Sequence, residues 1–428
     1  MIFCKKAGWG MALLFLCLIF GTGRTQKIEA AVQNVPESLE EESRLDTVGT
    51  DQETERAAVR EKKGQQEKEA GDTETDQAAA AQDELLAELD FDAIQQEVDS
   101  LLSSQQFSFA GTVRSLLQDG DPFRIFRAGN AVLSCAKTAF LAQKGLMKEL
   151  FLLVLAGAVL GSFSSLFEGK QVRDASFYMV YLLALALILK NFQSSGENLK
   201  AVITSLVAFM RILTPSYYLA AAAAGGASSA VMFYQMLLLV ILAVEKLLLA
   251  LVLPMIHIYL LIALENDLSG EEILSHMTEL LETCVNGLLK SSLGVLVGMQ
   301  MIRNLIAPAL DSLRQMALWR TAGMIPGIGN AVNAVTELVA GSAVLIRNCF
   351  GVTAMLVLLA AGMVPAVQLL VSGLSFRLLA AAAQPVSDKR IAGCLAAAGK
   401  GYAMLLRLLL TVEVLFLLTI AILAGTFS

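Results

Sequence analysis

Lys190, Arg211, Glu245, Lys246, His257, Glu337, Arg347 and Glu413 all lie in or beside long apolar runs of this chain. An ionisable group at the centre of a bilayer costs on the order of 3 kcal/mol or more, so such groups face a bundle interior or a wet cavity. The chemistry open to them is ion pairing, proton relay or ion passage. Lys190 sits near the end of an apolar run, where a long side chain reaches the interface. Glu245 and Lys246 are adjacent and point about 100° apart on a helix. At the tip of a helical hairpin they are simply interfacial. Glu413 lies deeper in its run with no local partner, and Arg347 or Lys400 is its expected interhelical partner.

The stretch from Met324 to Gly341 is the most distinctive. Pro326, Gly327 and Gly329 interrupt an apolar run. Such breaks are tolerated at membrane depth only where protein or water satisfies the freed backbone. Gly329, Ala331, Ala334 and Gly341 are small enough to let helices approach closely. Ordinary helix packing and a re-entrant element lining a path both fit. Enzyme motifs are missing: there is no Gly-x-x-x-x-Gly-Lys-[Ser/Thr], no Gly-x-Ser-x-Gly and no His-Glu-x-x-His. The 6 cysteines are scattered without a Cys-x-x-Cys, and there are only 2 histidines. Neither a disulfide framework nor a zinc site is expected. The chain is read as a non-enzyme without catalytic residues, metal or cofactor, and with no role for nucleic acid.

The elements that must position these groups are membrane helices. The chain is 56% hydrophobic and 17% charged, against about 25% charge in average soluble domains, and its mean hydropathy is +0.62. A span needs about 20 mostly apolar residues. Residues 149–428 supply that length repeatedly, at roughly 149–167, 176–192, 200–222, 229–265, 284–308, 344–372 and 403–425. At about 1.5 Å per residue the 229–265 segment is about 55 Å long as one helix, too long for a bilayer core of about 30 Å. A tight hairpin at Glu245-Lys246 is the preferred reading, and one long broken helix through Pro254 the alternative. The fold class is therefore all-α: a polytopic integral membrane bundle of 7 or 8 spans.

Ahead of it come three other regions. Residues 1–23 read as a signal peptide, with Lys5-Lys6, a short apolar core at Met11–Phe20 and a Gly21-Thr22-Gly23 exit. Residues 24–80 are an acidic linker too polar to bury a core, and they read as disordered; over 24–100 there are 22 acidic and 8 basic side chains. Residues 81–148 read as amphipathic helices outside the cytoplasm. Leu85, Leu89, Ile94, Val98, Leu101 and Leu102 recur at helical spacing, a second helix runs from Phe109 to Leu117, and a third from Ile125 to Lys148. With the N-terminal region outside, Lys170, Arg173, Arg377, Lys389, Arg390 and Lys400 fall inside, as the positive-inside rule asks, whereas Arg303, Arg314 and Arg320 fall outside. A weak internal echo places Pro215 and Pro254 at the same spacing as Pro326 and Pro365.

The chain resembles the stage III sporulation protein AE family of endospore-forming bacteria. The residues that carry the resemblance are Pro215, Gly226, Pro254, Asp311 ahead of Arg320, and Ile325-Pro326-Gly327-Ile328-Gly329. They continue with Asn348 and Gly351 in Arg-Asn-Cys-Phe-Gly, Pro365, and Pro385-Val386-Ser387-Asp388-Lys389-Arg390-Ile391. One departure is Arg320-Thr321-Ala322-Gly323, where the family pattern has a lysine shortly after the arginine. The resemblance implies a multi-pass component of the mother-cell membrane around the forespore. Its expected setting is a channel or secretion-like complex connecting the two cells. It also implies sister proteins of the same operon as partners, a secretion-type ATPase and ring-forming proteins among them, besides membrane lipid. A stand-alone secondary transporter or permease, and a membrane scaffold that organises ring-forming proteins, are the rival readings.

Overall fold

The computed structural model describes residues 90–102, 107–119, 129–164, 170–223, 228–269, 274–322, 329–385 and 387–425. The expected signal peptide and acidic linker lie outside these residues, as do Gly226, Pro326 and Gly327. Among the described residues the regular structure is helical throughout.

Two short helices come first, α1 (Phe91–Leu101) and α2 (Phe109–Asp119). The Asp90 side chain caps α1 by accepting from the Ala93 N–H at 3.1 Å, and Ser108 does the same for Gly111 at 3.1 Å. Gln95 locks the two helices together. Its Nε2 donates to the Phe107 carbonyl at 2.7 Å, and its Oε1 accepts from the Phe109 N–H at 2.8 Å. Ile94, Val98 and Phe109 are fully buried, as the amphipathic spacing requires.

Long helices follow: α3 (Gly129–Ser164), α4 (Lys170–Ala223), α5 (Ser228–Leu247), α6 (Leu253–Ser269), α7 (Ser275–Ala322), α8 (Gly329–Ala383) and α9 (Lys389–Gly425). The expected third amphipathic helix and the first expected span are one element, α3. The expected spans 176–192 and 200–222 are also one helix, α4, of 54 residues and about 81 Å. The polar stretch Gln193–Lys200 stays helical because Phe192, Leu199 and Ile203 keep one face buried through it.

The hairpin expected at Glu245-Lys246 does not form. Helix α5 passes through a π-helical turn, Leu248–Val252, into α6, and the Leu253 N–H reaches back to the Leu248 carbonyl. Proline at 254 has no N–H and clashes with the carbonyl four residues earlier in an α-helix. Widening the turn just before Pro254 relieves both problems without breaking the rod.

Five helical segments are long and apolar enough to cross a membrane: Tyr178–Tyr217, Leu238–Leu268, Ser275–Ile302, Gly341–Ala383 and Lys389–Ala421. The count among described residues is lower than the expected 7 or 8 because 176–192 and 200–222 fuse, the hairpin is absent, and the expected 149–167 span, largely within α3, is not among the five. Helix α9 is the hub. Its apolar window is 67% buried, against 22–44% for the other four. It packs most extensively on α8, and also against α4, α6 and α7. Contacts fix the directions. Gly362 meets Glu413 and Gly373 meets Tyr402, so α8 and α9 are antiparallel. Tyr181 meets Cys394 and Asn191 meets Tyr402, while Glu282 meets Lys400 and Asn286 meets Arg407, so α4 and α7 run parallel to α9. The N-terminal helices dock on the N-terminal half of α8, where the Phe350 ring lies 5.0 Å from Phe109, 6.2 Å from Phe91 and 6.3 Å from Tyr217.

Candidate functional site

Polar contacts between helices gather along α9, and the helix also carries the buried carboxyl of Glu413. The first group is the turn that launches the helix. Pro385 ends the path of α8, the Ser387 N–H returns to the Ala383 carbonyl at 2.8 Å, and Asp388 begins α9. The Asp388 carboxylate accepts from the Arg390 N–H at 3.1 Å, and its carbonyl takes the Ile391 N–H at 3.0 Å. Pro385, Asp388 and Arg390 thus form one capped helix–helix turn, a structural role that a Pro-x-Ser-Asp run serves well.

About three to five turns further on, α9 exchanges polar contacts with three helices. Lys400 pairs with Glu282 of α7 at 2.6 Å, and its ammonium lies 5.9 Å from the centre of the Tyr259 ring. The Tyr402 hydroxyl accepts from Asn191 Nδ2 at 2.6 Å and lies 3.3 Å from Ser195 Oγ. Its ring stacks on Phe376 and meets Phe192 edge-on, with centroids 5.2 Å away in both cases. Arg407 donates to Asn286 Oδ1 at 3.1 Å. At the same level His257 of α6 holds its Nδ1 at 2.9 Å from the Leu253 carbonyl. A carbonyl only accepts, so that nitrogen carries a proton.

Glu413 ends the series. It is 1% exposed, and neither carboxylate oxygen has a hydrogen-bond partner among the described residues. It lies against Gly362 of α8 so closely that a Cβ there would overlap the carboxyl group. The two partners expected for it are elsewhere. Lys400 is engaged by Glu282. Arg347, although buried, is 15 residues from Gly362 on α8, about 22 Å along the axis. Its Nη2 lies 3.5 Å from Asn348 Oδ1.

The remaining sequence candidates are dispersed. Pro215 is exposed inside α4, Pro254 follows the π turn, and Pro365 lies inside α8 a turn from Gly362. Asp311 is on α7. Gly329 is the first residue of α8, so the helix runs unbroken from there through Gly341. A re-entrant break therefore does not extend past Gly329. Gly341 is exposed, and among the described residues nothing would touch a Cβ placed there. Gly351 is buried and Asn348 half-buried, beside the Phe350 aromatic cluster.

Sequence reasoning missed Tyr402, Asn191, Asn286, Arg407 and Gly362. Arg407 carried the same signal as Glu413, an ionisable residue inside the 403–425 run. The others carried none, since a lone tyrosine, asparagine or glycine in an apolar segment does not announce its partner.

Comparison with known proteins places this architecture. Residues 107–426 match the family described as stage III sporulation protein AE. The stage III sporulation protein AE of Bacillus subtilis (strain 168) is 22% identical over 291 residues, covering 67% of this chain and 73% of that protein. No solved structure matches the chain.

Proposed function

The chain belongs to the stage III sporulation protein AE family, and from that premise we propose that it is a non-enzymatic subunit of a channel or secretion-like complex. That complex joins mother cell and forespore during endospore formation. The chain is a multi-pass component of the mother-cell membrane, with its N-terminal region outside the cytoplasm. Its partners are sister sporulation proteins, a secretion-type ATPase and ring-forming proteins among them. Energy for any transport step comes from the ATPase.

The observation that carries this reading is the extent of the family match, which takes in α2 and every long helix through α9. The bundle's internal chemistry is compatible with it. Its interhelical polar contacts, Lys400–Glu282, Arg407–Asn286 and Tyr402–Asn191, tie helices together around α9, as a structural subunit requires. The test is affinity purification of the tagged full chain from sporulating cells in mild detergent. Recovery of the ring-forming and ATPase sister proteins supports the reading; recovery of the chain alone under conditions that hold other membrane complexes together overturns it.

A second reading, an ion-coupled transporter, is favoured by one feature: the buried carboxyl of Glu413, which has no hydrogen-bond partner among the described residues. Solute or proton flux through the purified chain in liposomes, lost in Glu413→Gln, would favour it over the first.

A further inference from the structure

On the side of α4 away from the hub, a polar stripe runs along a helix otherwise long and apolar enough to span a membrane. Lys190, Gln193, Glu197, Lys200, Thr204 and Arg211 are all exposed. Their spacings of three, four and seven put them on one face. Charged groups on such a face do not sit in hydrocarbon. This face therefore meets water or the headgroup layer.

Where the stripe reaches α5 it opens into a cleft of about 470 Å³ between α4, α5 and the π turn. That volume falls in the range of about 300–1,000 Å³ usual for ligand sites. The floor and one wall are apolar, from Val207, Leu242 and Leu249. The rim is basic, from Lys200, Arg211 and Lys246, with Glu245 the one acid. Arg211 and Glu245 are within electrostatic range of each other. No ion pair to any of the three basic groups is found among the described residues. The cleft thus carries a net excess of two positive charges over an apolar floor. The widened π turn forms one side of it, because Leu249 and Ala250 belong to that turn.

We propose that this cleft binds a phosphate group, and that the apolar wall makes an anionic phospholipid its natural source. Lysine and arginine are the usual phosphate ligands of proteins, and basic pockets between membrane helices take anionic lipid headgroups. The headgroup phosphate sits among Lys200, Arg211 and Lys246, and the start of an acyl chain lies along Leu242 and Leu249. Glu245 limits the net charge and turns Arg211 toward the rim. The inference concerns a surface that the proposed function does not use, and it stands or falls separately.

The test uses the purified full chain, first delipidated in detergent. Binding is read by native mass spectrometry and by thermal unfolding with phosphatidylglycerol and phosphatidylcholine of matched acyl chains, and separately with inorganic phosphate. Each net positive charge contributes roughly fivefold, so with an excess of two the wild type is expected to prefer phosphatidylglycerol by roughly thirtyfold. The exposed triple variant Lys200→Gln/Arg211→Gln/Lys246→Gln should lose that preference while unfolding at the wild-type temperature in phosphatidylcholine. A control, Lys190→Gln/Lys290→Gln, removes exposed charge outside the cleft and should keep it. Stabilisation by inorganic phosphate in the wild type but not in the triple variant, without lipid preference, supports the same site with a free phosphate as its source. The proposal is overturned if the triple variant retains the preference or the control loses it equally. It is also overturned if the wild type shows neither lipid preference nor phosphate response.

Discussion

Gly362→Ala should loosen the α8–α9 interface, and the cost should vanish when Glu413 is shortened. A Cβ on residue 362 overlaps the Glu413 carboxyl and comes within 2.9 Å of its Cγ. Two responses are open: the glutamate side chain swings away, or the helices part. Neither is easy. The neighbours of Glu413 on α9, Leu409, Val412 and Phe416, are at most 1% exposed, so no rotamer leads to solvent. The helices are also pinned three turns away. There a Cβ on Gly399 would lie 3.2 Å from the Gly373 carbonyl, and one on Gly373 would lie 3.5 Å from the Gly399 carbonyl. Crowding of this kind in a packed core costs about 1–3 kcal/mol.

Glu413→Ala removes the group that the new methyl meets. The double variant Gly362→Ala/Glu413→Ala should therefore be more stable than the sum of the singles by about 1–3 kcal/mol, the range for residues in direct contact. The assay is unfolding of the purified full chain in one detergent, by heat or by SDS titration, across the four members of the cycle. Wild-type stability in Gly362→Ala, or strict additivity in the cycle, would refute the placement of Glu413 against Gly362. Spore yield across the same four variants then separates packing from function. If Glu413 only fills space, yield tracks stability.

Three further outcomes are expected from the same unfolding assay. Asp388→Ala removes the cap of α9 and should cost about 1 kcal/mol, with Asp388→Ser recovering most of it. Tyr402→Phe keeps the stacked ring but strands Asn191 Nδ2 in a part-buried site, so a loss of about 1–2 kcal/mol is expected. Phe350→Ala removes the ring shared by Phe91, Phe109 and Tyr217 and should cost about 3–5 kcal/mol, with faster proteolysis of α1 and α2 than of the long helices; unchanged protease sensitivity there would contradict their docking on α8.

The class of fold was legible because apolar runs of membrane length have no soluble explanation. The small helices were legible for a related reason: Ile94, Val98, Phe109 and Val113 fall on one face at helical spacing, and all are buried. What the pattern hid was continuity. The run Gln193–Lys200 reads as a loop because it is polar and contains Gly196. In the bundle that glycine sits under the His257 ring, where a Cβ would be 2.6 Å from the nearest ring atoms, and the polar residues simply face out. Glu245-Lys246 reads as a hairpin tip because it is a charged pair in an over-long apolar run, but the helix continues, and one π turn absorbs Pro254. The site was half-legible. Glu413 stands out as a charge in an apolar run. Gly362 does not, since only the antiparallel register of α8 on α9 says which helix position lacks a side chain opposite the carboxylate.

That register also reshapes the topology argument. The expected hairpin served to bring Arg377, Lys389 and Arg390 to the same side as Lys170 and Arg173. Fusing 176–192 with 200–222 and abolishing the hairpin each remove one crossing, so the alternation of ends survives. The start of α4, the end of α8 and the start of α9 all lie at one end of the bundle, with the five basic residues near it. Helices α1 and α2 dock at the other end, on Phe350. Arg303, Arg314 and Arg320, toward the end of α7, lie away from the basic end as well. On the positive-inside rule the Lys389-Arg390 end is expected to be cytoplasmic, which agrees with the proposed placement of the N-terminal helices outside. In a functional cysteine-free background, Thr50→Cys should react with an impermeant thiol reagent in intact protoplasts, and Ser387→Cys in the α8–α9 turn should react only after lysis. The reverse pattern would invert the bundle. Labelling of both in intact protoplasts would mean that the turn and the N-terminal region share one side, so that an even number of crossings separates them and one of the helices from α3 to α8 does not cross.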